Sequence, residues 1–308
     1  MAISQAPTRL SHVVSSEQFD RPTLGFLFER AAVLADVRDD RLHRRIMASL
    51  FYEPSTRSRL SFESAMLRLG GAVLGTEAAH TFSSAIKSET LEDTIRMVST
   101  YADVIVLRHD QLGAAARAAA VSSVPVINAG DGPGEHPTQA LLDLFTIQRE
   151  LGHIEGVCIA FCGDLRFGRT ARSLALLLAQ YAGVRFVFVA PDVVQVGADI
   201  LSRLDAAGVP YELTDTLHDV AADVDVVYQT RVQKERFTDT QEFDEARRAI
   251  RIDAALMRML RANAVVMHPL PRVDEILPEV DADPRAAYFR QAANGVAIRM
   301  AVLESLLP

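Results

Sequence analysis

Residues 50–69 read LFYEPSTRSRLSFESAMLRL, and this stretch determines how the first half of the chain is expected to fold. Its apolar beginning is typical of a buried strand that ends before Pro54, because proline has no amide hydrogen for a strand ladder. From Leu60 onward the apolar residues recur at helical spacing. Ser55 and Thr56 stand between the two elements, where hydroxyl side chains can cap a helix. The stretch therefore predicts a strand, a turn and a helix in immediate succession.

The start of this helix concentrates groups that can bind an anion. A helix N-terminus carries unpaired amide groups and the positive end of the helix dipole. Here it also carries the hydroxyls of Ser55, Thr56 and Ser58 and the guanidinium of Arg57. Such a place is suited to phosphate. The alternative is a well-capped helix with exposed arginines, and this stretch alone does not separate the two interpretations.

The composition predicts a globular protein and argues against some classes of binding partner. Hydrophobic residues make up 49% of the 308 residues, enough for an ample core. The net charge of −8 argues against nucleic acids and anionic membranes, since no basic face could dominate. No apolar run approaches the roughly 18 residues of a membrane span, and the N-terminus shows no secretory signal. We therefore expect a cytoplasmic protein.

The cysteines and lysines indicate which kinds of site the chain can contain. Cys158 and Cys162 share one face of a predicted strand, too far apart for a disulfide, and no further cysteine exists for a metal set. We expect both to be buried and inert in a reducing compartment, and we expect neither a metal nor another cofactor. Among 32 cationic residues only Lys87 and Lys234 are lysines, which suggests sites that need a compact, flexible charge.

Strands alternate with helices through both halves of the chain, which predicts parallel sheets. Because the pattern restarts after Gly152, we predict an α/β protein with two doubly wound parallel-sheet domains linked by helices. The final apolar helix, residues 286–307, needs a partner, and we expect it to return to the first domain. The predicted domains are residues 1–137 with 288–308, and residues 138–287.

Three later segments also fall at predicted strand ends, where open α/β sheets bind ligands. GDLRFGRT (163–170) nearly matches a nucleotide-binding phosphate loop, but an arginine replaces the lysine of that motif. VYQTRVQKERF (227–237) is a charged loop that could simply be solvated. MHPLPRVDEI (267–276) contains two prolines and is either an ordinary turn or a rigid element that holds the Leu270 carbonyl toward a ligand. A cis Leu270–Pro271 bond could produce the rigid form.

Together these segments predict a site rich in arginine, lysine, histidine and glutamine. Paired carboxylates, an activated serine or cysteine, and a set of metal ligands do not accompany them in the sequence. Such a site binds small polyanions and works by positioning and charge stabilisation rather than by covalent catalysis.

The order of these motifs resembles that of aspartate carbamoyltransferase catalytic chains from about residue 8 to about residue 305. The motifs are STRSR (55–59), the loop with Ser83 and Lys87, VLRH (106–109), HPTQ (136–139), GRT (168–170), TRVQKER (230–236) and HPLPR (268–272). Ornithine carbamoyltransferases are similar, but they typically have HPCQ where this chain has HPTQ, and a cysteine where this chain has Pro269. Pro269 and HPTQ therefore favour the aspartate enzymes.

The resemblance implies transfer of a carbamoyl group from carbamoyl phosphate to L-aspartate, a step of pyrimidine biosynthesis. It assigns the phosphate to Ser55, Thr56, Arg57 and Ser58. The residues that it assigns to the carbamoyl group are Thr56, Arg108, His136, Gln139, the Leu270 carbonyl and Pro271. Those that it assigns to the aspartate are Lys87, Arg169, Arg231, Gln233 and Leu270.

The resemblance also implies a homotrimer with shared active sites. Ser83 and Lys87 would lie on a loop that reaches the carbamoyl phosphate site of a neighbouring subunit. Glu53 and Arg236, together with Arg169, would bridge the two domains on closure. The sequence identifies neither a regulatory nor a dihydroorotase partner chain.

Two positions depart from the family pattern. Ser58 stands where threonine is usual, and it keeps the hydroxyl and the amide, so we expect little loss. Ile86 stands where some members have a second lysine, which affects the expected affinity of the loop. The alternatives to the main interpretation are a paralogue that carbamoylates another amino acid, a phosphate-loop nucleotide-binding protein and an inactive scaffold or allosteric subunit.

Overall fold

The computed structural model describes residues 10–77, 89–232, 239, 243–244 and 250–307. The chain divides into two compact units, residues 1–142 with 293–308, and residues 143–292. Each unit contains one parallel β-sheet.

The sheet of the first unit has four strands, β1 (Ile46–Phe51), β2 (Ala72–Glu77), β3 (Val104–His109) and β4 (Val126–Asp131). All pairs are parallel, in the order β2-β1-β3-β4. The helices of this unit are α1 (Arg21–Leu34), α2 (Thr56–Arg68), α3 (Leu91–Val98), α4 (Ala114–Val121) and the start of α5 (Pro137–Leu151). Strands β1, β3 and β4 are almost wholly buried, as parallel strands covered by helices should be.

The second unit has a five-stranded sheet of β5 (Cys158–Cys162), β6 (Arg185–Val189), β7 (Tyr211–Thr214), β8 (Val226–Gln229) and β9 (Val265–Met267). These strands are also parallel, in the order β7-β6-β5-β8-β9. The helices that accompany them are α6 (Arg169–Leu178), α7 (Ala198–Ala207) and α8 (Ala254–Met259). The last helix, α9 (Tyr288–Leu306), begins in this unit and ends in the first.

The predicted fold class is confirmed, because both sheets are parallel and α9 ends in the first unit. Strand β7 is the element with the weakest sequence signal. Its four residues include no fully buried side chain, so they show neither an apolar run nor clean alternation. No helix in the described ranges is both long and apolar enough to cross a membrane.

Candidate active site

The predicted phosphate site lies where β1 ends and α2 begins. Ser55 is the N-cap residue of α2, but its side chain accepts no hydrogen bond from the amides of that helix. The serine cap that the alternative interpretation requires is therefore not made in this structure. The helix start provides the amide groups and the dipole end that favour an anion.

Arg57 and Ser58 have different surroundings in the first turn of α2. Arg57 is exposed, and partial desolvation lowers the pKa of its guanidinium from the ordinary value. Ser58 is buried, and its Oγ lies 3.2 Å from Nε2 of His136. This contact joins a predicted phosphate ligand to a predicted ligand of the carbamoyl oxygen.

Arg108 lies near the carboxyl end of β3 and is fixed by two neighbours. Its Nη2 lies 2.9 Å from Oε2 of Glu53, and its Nη1 donates to the Ala129 carbonyl at 3.2 Å. The Arg108 side chain is only 13% exposed. A guanidinium held in this way is preorganised to stabilise negative charge on an oxygen atom. Glu53, predicted to act in domain closure, is thus an ion-pair partner of Arg108 in this structure.

The HPTQ motif forms the junction between β4 and α5. His136 is buried, and its carbonyl accepts the amide of Gln139 at 2.9 Å. The carboxylate of the preceding Glu135 accepts the Ser15 hydroxyl at 2.6 Å and the Ser16 amide at 2.7 Å. These bonds anchor the backbone immediately before His136, a contribution from the N-terminal segment that the motif search did not identify.

Arg169 and Arg231 follow neighbouring strands of the second unit. Arg169 is the first residue of α6, after β5, and Arg231 is an exposed residue two positions beyond β8. Thr230 links the two segments, because its amide and its hydroxyl donate to the Cys162 carbonyl at 2.7 and 2.9 Å. Gly163 makes this approach possible, since an added Cβ would lie 2.3 Å from the Thr230 carbonyl oxygen. The structure thus places these two predicted aspartate ligands in segments that follow adjacent strands.

The GDLRFGRT segment does not provide a favourable setting for a nucleotide. Asp164 lies within it, is 2% exposed and accepts the Phe167 amide at 3.0 Å through Oδ1. A buried carboxylate in the loop would repel the phosphates that such a loop must hold. The nucleotide-binding alternative is therefore disfavoured by local electrostatics.

The HPLPR segment forms a rigid turn after β9. The Leu270–Pro271 bond is cis, which confirms that expectation. The amide of Leu270 donates to Nδ1 of His268 at 2.7 Å, and His268 Nε2 lies 2.8 Å from Oε1 of Glu275. Sequence reasoning singled out Leu270 and Pro271 but missed the buried pair of His268 and Glu275. The signal that could have found it is a histidine and a carboxylate on either side of the prolines.

Several predicted residues lie outside the described part of the chain. They are Ser83, Ile86, Lys87, Gln233, Lys234 and Arg236. Their assigned roles stay predictions.

The structure shows the state of the two cysteines and allows a search for metal ligands among the described residues. Cys158 and Cys162 are free and buried, and desolvation raises the pKa of both thiols. In the described ranges, no group of three or more histidine, cysteine, aspartate or glutamate side chains could hold a metal ion.

Two family models cover nearly the whole chain. The model described as "Aspartate/ornithine carbamoyltransferase, carbamoyl-P binding domain" matches residues 11–149. The model described as "Aspartate/ornithine carbamoyltransferase, Asp/Orn binding domain" matches residues 155–306.

Individual relatives show the same similarity. Aspartate carbamoyltransferase 1, chloroplastic, of Pisum sativum is 55% identical over 97% of this chain and 79% of its own length. The aspartate carbamoyltransferase catalytic subunit of Methanocella arvoryzae is 46% identical over 96% of this chain and 97% of its own. Aspartate transcarbamoylase of Trypanosoma cruzi, solved in complex with carbamoyl phosphate and aspartate, superimposes with a TM-score of 0.90 at 43% identity, covering 97% and 96% of the two chains.

Proposed function

The chain belongs to the aspartate/ornithine carbamoyltransferase family, and we propose that it transfers the carbamoyl group of carbamoyl phosphate to the α-amine of L-aspartate. The products are N-carbamoyl-L-aspartate and phosphate. The observation that carries this proposal is the contact of Ser58 with His136, because it joins an anion-binding helix start to a donor suited to the carbamoyl oxygen.

The first unit supplies most of the groups for carbamoyl phosphate, and Leu270 of the second unit adds its carbonyl. The phosphate binds at the start of α2, through Ser55, Thr56, Arg57 and Ser58. Arg108 and His136 donate to the carbamoyl oxygen, with Thr56 assisting, and Gln139 holds the carbamoyl nitrogen together with the Leu270 carbonyl. Support for the role of Arg108 comes from its fixation by Glu53 and the Ala129 carbonyl.

The reaction needs charge stabilisation more than it needs a nucleophilic side chain. The aspartate amine attacks the carbamoyl carbon and forms a tetrahedral oxyanion, which Arg108 and His136 stabilise. The carbon–oxygen bond to phosphate then breaks, and the carbonyl re-forms. The departing phosphate takes the proton that the amine releases, so no side chain of the protein has to act as the general base.

Aspartate is the acceptor because the second unit offers cations to its two carboxylates. Arg169 and Arg231 follow adjacent strands, and a guanidinium binds a carboxylate through two hydrogen bonds. Gln233 and Lys87 complete this set in the proposal. An ornithine side chain would instead need an acidic or neutral pocket. The predicted domains keep their main roles in the proposal, residues 1–137 with 288–308 for carbamoyl phosphate and 138–287 for aspartate, while Gln139, Leu270 and Lys87 serve the ligand of the other domain.

The assembly and location are further parts of the proposal. The homotrimer is taken from the family resemblance, and Leu60 and Leu67, 57% and 61% exposed on one face of α2, offer an apolar surface that contact between copies would bury. In the trimer, Ser83 and Lys87 act in the site of a neighbour. Light scattering should give three times the 33.7 kDa of one chain.

A cytoplasmic location is also part of the proposal. It is supported by the two buried, free cysteines, although the pea relative is named chloroplastic.

The test of the function is a direct product assay. The purified chain is mixed with carbamoyl phosphate and L-aspartate without added metal, and N-carbamoyl-L-aspartate and phosphate are measured. L-ornithine in place of aspartate is the matched control. Equal formation of both products with aspartate supports the proposal, and no turnover with aspartate contradicts it.

A further inference from the structure

We propose that His268 is a positioning residue whose unprotonated Nδ1 sets the direction of the Leu270 carbonyl, and that Glu275 determines which ring nitrogen carries the proton. This inference rests on the proposed function, in which the Leu270 carbonyl holds the carbamoyl nitrogen. It concerns two buried side chains that bond the turn and to which the proposed function assigns no substrate contact.

The Leu270 carbonyl needs an anchor that its own peptide group cannot provide. That peptide's nitrogen belongs to Pro271 and has no hydrogen to donate. Leu270 also has a φ of 57°, in the left-handed region that residues with a side chain rarely adopt. Such a conformation persists only where the surroundings determine it. The Leu270 amide supplies such an anchor, because it donates to Nδ1 of His268 at 2.7 Å.

The hydrogen bonds assign one tautomer to His268. Because a backbone amide can only donate, Nδ1 must be the acceptor and the ring proton must be on Nε2. Nε2 then donates to Oε1 of Glu275 at 2.8 Å. The other carboxylate oxygen, Oε2, accepts the amides of Val273 at 3.1 Å and Asp274 at 3.2 Å. Glu275 therefore acts as an acceptor through both oxygens, which fixes the proton on Nε2 of His268.

The backbone of His268 is held as firmly as its ring. Its amide donates to Oε1 of Gln291 at 2.9 Å, and Nε2 of Gln291 donates to Oδ1 of Asp143 at 2.6 Å. The hydroxyl of Tyr228 donates to Oδ2 of the same aspartate at 2.7 Å. All of these side chains are buried, so water does not compete with the bonds.

His268 cannot serve as the general base of the reaction. Its single ring lone pair, on Nδ1, is occupied by the Leu270 amide. The ring is only 2% exposed, so neither nitrogen is accessible to the substrate amine. A buried histidine bonded at both nitrogens is suited to holding a backbone segment in place. Side chains that hydrogen-bond to metal ligands orient those ligands in the same way.

Two substitutions at His268 separate positioning from simple packing. In His268→Asn the side-chain oxygen can take the place of Nδ1 and accept the Leu270 amide, while the bond to Glu275 is lost. In His268→Gln the amide nitrogen can take the place of Nε2 and donate to Glu275, while the bond to Leu270 is lost. Each variant loses one of the two buried hydrogen bonds of the ring, and thermal unfolding checks that both are folded.

The expected result is a split between the two variants. In His268→Gln, kcat/KM for carbamoyl phosphate should fall about 10²-fold, the scale of an ångström-sized misplacement. In His268→Asn it should stay within about threefold, since the anchor is retained. Inhibition by inorganic phosphate should be equal in both, because the proposed phosphate site is at the start of α2. Equal losses of activity in the two variants would show a merely structural role and overturn the inference.

Glu275→Gln tests the proton assignment without changing shape. The amide oxygen must accept the two backbone amides, so the NH2 group faces Nε2 and drives the ring proton to Nδ1, against the Leu270 amide. We expect a loss like that of His268→Gln, and wild-type kinetics would overturn the inference. This variant also decides the matter if His268→Asn does not fold. Absence of carbamoyl aspartate from the wild-type chain would instead refute the proposed function, together with this inference.

Discussion

Replacing Arg108 by methionine should reduce kcat by about 10²–10³, because it removes one of two donors to the oxyanion, a loss of about 2.7–4 kcal/mol. Methionine is close to the length of the aliphatic part of arginine and preserves packing near the end of β3. The change leaves Glu53 without its partner at 2.9 Å. The Oε2 atom that pairs with Arg108 is itself buried, so the stability cost should exceed the roughly 0–1 kcal/mol of a surface ion pair.

The assay is steady-state formation of N-carbamoyl-L-aspartate at saturating substrates, with thermal unfolding measured in parallel. Arg30→Met is the matched control, because Arg30 Nε also lies 2.8 Å from a carboxylate, that of Glu304, in the same unit. It should lose less stability than Arg108→Met, at most about 1 kcal/mol, and no activity. A kcat within about threefold of wild type for Arg108→Met would refute the role of Arg108 in stabilising the oxyanion.

Three further predictions concern buried groups. Ser58→Ala should lower kcat/KM about threefold to tenfold, since it removes the hydroxyl beside His136, whereas Ser58→Thr should stay near wild type in the same kinetic assay. Burial alone would raise the pKa of Glu275, but its bonds from His268 and backbone amides outweigh this and lower it. The stability that this carboxylate contributes is thus present above the unfolded pKa of 4.5 and is lost as pH falls below it. Chemical denaturation should show the difference in unfolding free energy between wild type and Glu275→Gln shrinking below pH 4.5, and a constant difference would contradict this. Burial raises the pKa of the Cys162 thiol, so a thiol reagent should label it only after unfolding, and rapid labelling of the native chain would show this to be wrong.

The sequence predicted the fold well because parallel strands covered by helices leave long apolar runs. Strand β1 and helix α2 illustrate this, since Pro54 and the serines after it mark the junction in the sequence itself. Strand β7 carries no such mark, because a short, largely exposed edge strand has no buried face to give a pattern.

The site shows where local sequence stops being informative. A serine before a helix predicts a capping hydrogen bond, yet the Ser55 side chain at the N-cap of α2 makes none, and the direction of a hydroxyl cannot be read from the sequence. The pairing of Glu53 with Arg108 joins the turn after β1 to strand β3, so its partners are far apart in the sequence. His268 and Glu275 meet because the chain reverses at the intervening prolines, and no periodicity encodes that reversal.

The most direct test of the account is a crystal structure of this chain with carbamoyl phosphate bound. We predict that the phosphate lies at the start of α2, within hydrogen-bonding distance of the Ser55–Ser58 backbone and side chains, with the carbamoyl oxygen facing Arg108 and His136. A phosphate bound in the GDLRFGRT segment at 163–170, with the start of α2 unoccupied, would contradict the account.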